Sequence, residues 1–258
     1  MPGTDFFFFS VYALLPGTDL FVGAGYALMP GTKANQRHTS GARGHEETLS
    51  ISAHYHGRIT AMPRRSIAYA PGEYYHLVNR GSLRHVLFHD AETYGLFASL
   101  LEYFGSQCSI TVVAYCLMPN HFHLLVRVEP GGDLSMFMQK VCCRFSNIIN
   151  RRLRRSGTIF QGRFRCKHVS STRYLQAVCR YIHLNPVVSG LCQNPEDYEY
   201  STYRETIGSR AWLSCDPSII RNIFRGEEHY KAFVAAGKGN PKIGDDDLLR
   251  DLAEMKLL

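Results

Sequence analysis

Two apolar segments joined by only two residues place the strongest constraint on the fold of this chain. Residues 109–118, SITVVAYCLM, are rich in β-branched side chains and predict a buried strand. Residues 121–128, HFHLLVRV, follow directly after Pro119-Asn120, which supplies a tight connection. A connection this short brings the second strand back antiparallel beside the first. The sequence therefore predicts an antiparallel strand pair over residues 109–128.

The residues before this strand pair predict a strand and then a helix. Residues 72–81, GEYYHLVNRG, have a β-rich apolar centre and end at a glycine that favours a turn. Residues 90–107 carry apolar side chains at helical spacing, with Asp90 as the N-cap and Gly105 as the C-terminal stop. The chain is thus expected to pass from strand to helix before it reaches the strand pair.

The residues after the strand pair continue the alternation of predicted helices and strands. An apolar stripe predicts a helix over 134–156, and alternating residues over 157–170 indicate a short strand or hairpin. A Ser/Thr cap begins the next predicted helix, 171–186, which Pro186 ends. The order β-α-β-β-α-β plus a helix predicts an α+β domain with helices packed on an antiparallel sheet. Further helices are expected later, including residues 218–234.

Residues 1–61 do not follow this pattern. MPGT, LPGT and MPGT recur every 14 residues within residues 1–32, a period too short for stacked structural repeats. The apolar runs between them are too short to cross a membrane as helices, and no basic residue precedes them as a secretory signal requires. We interpret residues 1–61 as an extension that is either disordered or added by a start codon assigned too far upstream. The domain is then expected over 62–204, with a C-terminal helical extension over 205–258.

The positive charge of the chain is unevenly distributed. Lys and Arg number 29 against 22 Asp and Glu, a formal net charge of +7. No carboxylate lies between Asp133 and Glu196. The basic residues of this interval are Lys140, Arg144, Arg151, Arg152, Arg154, Arg155, Arg163, Arg165, Lys167, Arg173 and Arg180. Counterion release favours clustered arginine beside a nucleic acid, whereas solvated helix faces usually mix both signs. We favour a phosphate-facing surface, with a solvated basic face as the alternative.

The cysteines point to a reducing compartment. The chain has eight, and none of them forms a CxxC pair, which argues against a structural zinc knuckle. Several lie in apolar periodic stretches, where free cysteine behaves as a small hydrophobic residue. We therefore expect reduced thiols in a cytoplasmic protein with no membrane association.

Two histidines stand one residue apart inside the second strand of the pair. Side chains alternate between the faces of a strand, so His121 and His123 point to one face and Phe122 to the other. Two imidazoles on one face can supply two metal ligands and leave open positions for substrate oxygens. The alternative is a pair of core histidines that find hydrogen-bond partners.

The helix over 171–186 offers a possible complement to this pair. Tyr181 and Asn185 are four residues apart and share a helix face, so Asn185 could add an oxygen ligand beside the Tyr181 phenol. A divalent ion stabilises a phenolate and polarises a phosphoryl oxygen, which makes a phosphodiester-transfer site coherent. The alternative is that Tyr181 is one of 15 tyrosines on an amphipathic helix. Tyr174 is the rival nucleophile, and His183 is expected to be structural or to contact DNA.

Several separated motifs resemble one protein family. They are NRG at the end of the first strand, MPNHFHLLV around the histidine pair, FQGRF at 160–164 and YLQAVCRYIHLNPVVSGL at 174–191. In this order they closely resemble the single-tyrosine HUH transposases, and more narrowly the REP-associated tyrosine transposase branch. The similarity runs from about Met62 to Tyr203.

The resemblance implies a ferredoxin-like HUH fold that acts on single-stranded DNA. It implies that His121, His123 and Asn185 hold a divalent metal ion, Mg or Mn, and that Tyr181 is the nucleophile. The enzyme would nick and rejoin single-stranded DNA through a covalent 5'-phosphotyrosine, with hairpins such as repeated extragenic palindromes as targets. Relatives work as monomers or as homodimers, so both states stay open.

The basic interval supplies candidate DNA contacts. The residues expected to position phosphates are Arg151, Arg152, Arg154, Arg155, Arg163, Arg165 and Lys167. Phe160 and Phe164 could stack on unpaired bases. Two other functions remain open: a non-catalytic DNA-hairpin-binding protein derived from a transposase, and a replication or conjugation initiator with the same chemistry. The second is less favoured because such initiators usually carry larger helicase or origin-binding regions.

Overall fold

A computed structural model of the chain describes residues 69–209, 215–238 and 250. The predicted extension over residues 1–61 lies outside the described residues. The helices and strands are β1 (Tyr74–Arg80), α1 (Ala91–Gln107), β2 (Ile110–Met118), β3 (His121–Val128), α2 (Leu134–Arg152), β4 (Arg165–Val169), α3 (Thr172–Val188), α4 (Tyr203–Thr206), α5 (Ser218–Phe224) and α6 (Glu227–Ala236). Short 3-10 turns lie at Ser82–Arg84 and Pro195–Asp197.

The four strands form one antiparallel sheet in the order β2-β3-β1-β4. A β-α-β-β-α-β chain with the first and third strands in the centre is the ferredoxin-like arrangement. The predicted α+β fold and the antiparallel pairing of β2 with β3 are therefore confirmed. Among the residues that the structure describes, no helix is both long and apolar enough to cross a membrane.

Helices cover both faces of the sheet. On one face α1 and α2 pack on an aromatic core that includes Phe97, Phe122 and Phe145. On the other face α3 packs on β2 and β3, and α5 and α6 share its apolar core through Ile220 and Tyr230. Helices of the predicted C-terminal extension thus join the core that holds α3 against the sheet.

Helix α1 begins and ends for different reasons. Asp90 is its N-cap, as predicted, and forms a capping box with Thr93. The prediction that Gly105 stops the helix is wrong, because α1 continues to Gln107. A Cβ at position 105 would lie 2.9 Å from the carbonyl oxygen of Ile110, so this glycine permits close packing of the helix on β2.

Helix α3 also runs further than predicted, since it contains Pro186 and ends at Val188. Proline removes one backbone donor, and in the last turn this costs a single helical bond while Ser189 still donates to the Asn185 carbonyl. Asn185 therefore lies within the helix. The restriction that proline places on its preceding residue did not move Asn185 out of helical structure.

Two other predicted elements are shorter in the structure. The helix expected over 134–156 ends at Arg152, and strand structure within 157–170 is limited to β4 and an isolated bridge from Gly81 to Phe160. The segment 218–234 is divided into α5 and α6 by Arg225 and Gly226, whose φ angles are 57° and 124°. Left-handed residues cannot continue a right-handed helix, so the chain turns there.

A buried histidine joins α3 to the C-terminal helices. The Nδ1 atom of His183 lies 2.5 Å from the Tyr230 hydroxyl, and its Nε2 atom lies 2.9 Å from Thr202 Oγ1. Burial lowers the pKa of His183 to about 3. This imidazole is therefore neutral in the folded chain at every pH above that value, which supports the structural alternative for His183.

The depressed pKa of His183 predicts a loss of stability in acid. The unfolded histidine takes up a proton near pH 6.5 and the folded one near pH 3, so the free energy of unfolding falls as the pH drops through this interval. We expect the contribution of His183 to fall by about 2–3 kcal/mol between pH 7.5 and pH 4.5. The free energy of unfolding, measured with urea at both pH values, should fall less in His183→Gln than in the wild type, by the contribution of one titrating group. Equal falls in the two proteins would contradict this assignment.

Candidate active site

The histidine pair lies where β3 begins, on the face covered by α3. His123 is fully buried and His121 is partly exposed, with ring centroids 5.1 Å apart. Phe122 points to the opposite face and packs on Phe97 at 4.8 Å. The alternation of the strand thus separates two imidazoles from the aromatic side chain that anchors them.

Helix α3 brings Tyr181 and Asn185 to His123. The Tyr181 ring packs edge-on against the His123 ring, with centroids 5.2 Å apart. The Asn185 Nδ2 atom lies 3.2 Å from His123 Nε2. Both residues come from one helix face, four positions apart, so the helix repeat itself delivers a phenol and an amide to one imidazole.

His76 is a member of this cluster to which the sequence reasoning assigned no role. It lies on β1, fully buried, with its Nε2 atom 3.2 Å from His123 Nδ1 and its ring 6.2 Å from that of Tyr181. If Asn185 donates to His123 Nε2, then His123 Nδ1 carries the proton and donates to His76. The contacts therefore fit the tautomer that leaves a lone pair on His123 Nε2.

Arg80 is a second residue that the sequence reasoning missed. It is paired with His121 across β1 and β3, so both side chains leave the same face of the sheet. After burial, which is the larger cause, its positive charge lowers the pKa of His121. The same charge also lowers the pKa of Tyr181, although burial outweighs it and raises that pKa overall. A signal was present in the sequence, because residues 76, 78 and 80 alternate onto one face of β1.

Burial controls the protonation of the site. It lowers the pKa of His121 to about 4, with Arg80 as a second cause, and it lowers the pKa of His123 well below its usual value. Both imidazoles are therefore neutral near pH 7 and keep lone pairs that can bind a cation. Burial raises the pKa of Tyr181 to about 12, although a hydrogen bond with Asn185 and the charge of Arg80 oppose the shift. The resting phenol is protonated.

These donors fit a metal ion that is completed by substrate. Among the described residues, no three His, Cys, Asp or Glu side chains come together as a closed metal site. The available set is instead the imidazoles of His121 and His123 with the amide of Asn185, which leaves positions for phosphate oxygens. The neutral state of both imidazoles meets the requirement that ligands be deprotonated.

Tyr174 occupies a different environment from Tyr181. It is buried beside the N-terminus of α3, where its backbone amide is capped by Ser171. The two tyrosines are seven positions apart on the helix, which is roughly 10 Å along its axis. The ring contacts with His76 and His123 are made by Tyr181.

The predicted phosphate-binding residues fall into two groups. Arg165 and Lys167 lie on β4 opposite Val78 and His76, so they share the sheet face of the histidine pair. The second group lies at or beyond the C-terminal end of α2 and is exposed: Arg151, Arg152, Arg154, Arg155 and Arg163. Within this group Arg152 forms ion pairs with Asp90 and Glu92 at 2.8 and 3.1 Å.

One predicted stacking residue is buried. Phe160 is 8% exposed and packs near Phe122 and Phe145, so its ring is part of the core and is not available to unpaired bases. Phe164 is partly buried against the same core. The alternation of residues 157–170 was visible in the sequence, but which ring faced inward depended on the bridge that joins Phe160 to Gly81.

Two comparisons with known proteins find similarity to transposases. Residues 71–185 match the family described as IS200-like transposases. A Haemophilus influenzae protein assigned as a REP-associated tyrosine transposase is 27% identical over 107 residues, which cover 37% of this chain and 60% of that protein. This chain therefore spans less than two thirds of the length of its curated relative.

Two solved structures are also similar to this chain, each at 20% sequence identity and with a TM-score below 0.5. One is a REP-associated tyrosine transposase bound to a REP hairpin, with 20% identity, a TM-score of 0.49 and coverage of 59% of this chain and 92% of that one. The other, from Deinococcus radiodurans, is assigned as a transposase and has 20% identity, a TM-score of 0.33 and coverage of 45% and 91%. The fold assignment rests on the strand order given above. The matched segment 71–185 contains both histidines, Tyr181 and Asn185. The predicted resemblance of this chain to the REP-associated tyrosine transposases is thereby confirmed.

Proposed function

We propose that this chain is a metal-dependent transposase that cleaves and rejoins single-stranded DNA at hairpin sequences through a covalent bond to Tyr181. The observation that carries the proposal is the contact of the Tyr181 ring with His123, whose Nε2 atom also faces Asn185. A potential nucleophile and a set of neutral donors thus meet at one point. The family match and the REP-associated relative support the same substrate class.

His121, His123 and Asn185 are the residues that would hold a divalent ion, Mg or Mn. Such an ion, when bound, supplies positive charge that polarises the scissile phosphate and favours the phenolate. His76 would act through His123 by accepting a hydrogen bond from its Nδ1–H, which keeps the lone pair on Nε2, directed away from β1. Asn185 contributes twice, because its hydrogen bond also lowers the pKa of Tyr181.

Tyr181 performs the covalent step. Its Oη atom attacks the phosphorus, a Tyr–O–P bond forms, and the P–O3' bond is cleaved, so the phosphate stays on the 5' end of the strand on the 3' side of the break. The phenol proton is lost to solvent and the leaving 3' oxygen takes up a proton, so the products are a 5'-phosphotyrosine and a free 3'-OH. A 3'-OH from a second strand reverses these bond changes and joins the DNA.

Positive charge on the same sheet face supports a path for the strand. Arg80 lies beside His121, and Arg165 and Lys167 follow on the neighbouring strand β4. Three cations along one face can hold successive phosphates, while the exposed arginines after α2 add sequence-independent affinity. The strand is thereby oriented across the Tyr181 phenol.

An oligonucleotide cleavage assay tests the proposal. The full chain is incubated with hairpins that carry unpaired flanks, taken from DNA beside the gene, with Mn, with Mg or with a chelator. A 3' label follows the fragment that stays on the protein, and a 5' label follows the fragment that carries the free 3'-OH. We expect a covalent protein–DNA adduct and a 3'-OH fragment that a polymerase extends, both dependent on the added ion. Tight hairpin binding without any adduct would instead favour the non-catalytic binding protein.

Arg80 gives a sharper prediction about the rate. Arg80→Ala removes the cation nearest His121 and should slow adduct formation by about 10- to 100-fold, because charge aimed at the reacting phosphate is lost. Arg80→Lys should recover part of this loss. The matched control is Arg127→Ala, since Arg127 also lies on the sheet but is paired with Glu129 at 2.8 Å. Single-turnover kinetics that give equal rates for Arg80→Ala and Arg127→Ala would contradict the role of Arg80.

A further inference from the structure

The loop over residues 81–89, between β1 and α1, holds two consecutive residues in left-handed backbone conformations. Leu83 has a φ of 54° and Arg84 a φ of 62°. These angles suit glycine, and a γ-branched residue such as leucine adopts them only when the surrounding structure forces it to do so. The other described non-glycine residues at positive φ are Arg84, Ser109, Arg154 and Arg225, all of which are polar, so an apolar residue at position 83 needs an explanation.

The loop is held firmly on both sides. The Ser82 amide donates to the Ile159 carbonyl at 2.8 Å, and the Leu87 amide donates to the Pro119 carbonyl at 2.7 Å. The side chain of Asn120 donates to the Arg84 carbonyl. These bonds fix the backbone while leaving the Leu83 side chain 81% exposed. The scaffold therefore presents an apolar side chain to the outside in a fixed position.

The surroundings of Leu83 are cationic. Arg84 follows it directly, and after burial its charge is the next cause that lowers the pKa of Arg80. A small cavity beside the loop is lined by Ser82, His85 and Arg155 among others, so the end of α2 contributes charge to the same surface. Residues 79–89 contain no carboxylate. This combination of an exposed apolar tip and flanking arginines complements a polyanion that also offers an apolar surface.

We propose that Leu83 is a wedge that stacks on the terminal base pair of a DNA hairpin, while Arg84 and Arg155 contact the phosphates on either side. Base pairs are apolar on their faces and charged at their backbone, which matches the two kinds of side chain. This proposal rests on the proposed function, because it takes a DNA hairpin as the substrate and states where the paired stem of that hairpin ends. Leu83 is three residues beyond Arg80, roughly 10 Å of chain at most, so the duplex would end close to the unpaired strand at His121.

The test uses the full chain and a hairpin with 2-aminopurine at the base pair next to the unpaired flank. Wild-type binding should change the fluorescence of this base. Leu83→Ala should abolish the change and weaken hairpin binding about tenfold, with binding of an unpaired strand of equal length unchanged. Leu83→Met, which keeps an apolar side chain, should behave like the wild type.

The matched control is Met136→Ala. Met136 is also an exposed apolar residue, 42% accessible, but it lies in the first turn of α2 and thus at the other end of that helix from Arg152. It should bind hairpin and unpaired strand as the wild type does. Because the Leu83 side chain is exposed, its removal leaves the core intact. Equal melting temperatures of Leu83→Ala and the wild type would establish this.

Three results would overturn the wedge: a wild-type fluorescence change in Leu83→Ala, equal weakening of hairpin and unpaired strand, or a wild-type chain that binds no hairpin. Failure of the proposed chemistry gives a different result. A chain that forms no adduct yet shows the Leu83-dependent signal supports the wedge and contradicts the covalent role of Tyr181.

Discussion

Tyr181→Phe is expected to form no covalent adduct with single-stranded DNA, a loss of at least about 1,000-fold relative to the wild type. The substitution removes only the hydroxyl oxygen and keeps the ring that packs on His123. The fold and hairpin affinity should therefore persist, with affinity within about twofold of the wild type. Denaturing electrophoresis and the mass of the adduct peptide measure the result.

Tyr174→Phe is the matched control for this experiment. It alters a tyrosine of the same helix that is buried beside Ser171 and lies two turns from Tyr181. We expect its adduct yield to equal that of the wild type. An undiminished yield in Tyr181→Phe, or its loss in a folded Tyr174→Phe, would move the nucleophile away from Tyr181.

His123→Ala has the second largest expected effect, because this imidazole contacts His76, Tyr181 and Asn185. The variant should bind Mn at least about 100-fold more weakly and form no detectable adduct. It also opens a cavity and leaves His76 and Asn185 without their shared partner, which should lower the free energy of unfolding by about 2–4 kcal/mol. Electron paramagnetic resonance of Mn and thermal unfolding separate the two effects.

His168→Ala is the control for this second prediction. His168 is an exposed histidine whose Nε2 atom lies 2.6 Å from Glu73, and its removal should change neither Mn binding nor adduct yield. Unchanged Mn affinity in a folded His123→Ala variant would contradict the assignment of the ion site.

Periodicity carried most of what could be predicted about the fold. Alternation over residues 121–128 gave the opposite faces of Phe122 and His123, and spacing of four gave the common face of Tyr181 and Asn185. These patterns are local, so they can be read without knowing which strands are neighbours. The same reasoning placed Asp90 at the start of α1, since capping depends only on the first turn.

The parts that escaped prediction depend on contacts between distant segments. His76 and Arg80 became members of the site only when β1 paired with β3, and a single strand does not reveal its register. Gly105 resembled a helix end because its true reason, the close carbonyl of Ile110, belongs to another element. Pro186 was overestimated as a terminator, since packing of α3 outweighs the loss of one helical bond in its last turn.

The placement of one tyrosine against His123 also limits how many DNA ends each copy of the chain could hold under the proposed mechanism. On the mechanism proposed above Tyr181 is the attacking residue, and in the described part of the chain it is the tyrosine that packs on His123, with Tyr174 buried two turns away, so each copy would attach DNA at one point. One copy can therefore carry no more than one broken strand end at any moment. Moving a segment with two ends then requires two copies acting together, or one copy that completes its first junction before it opens the second.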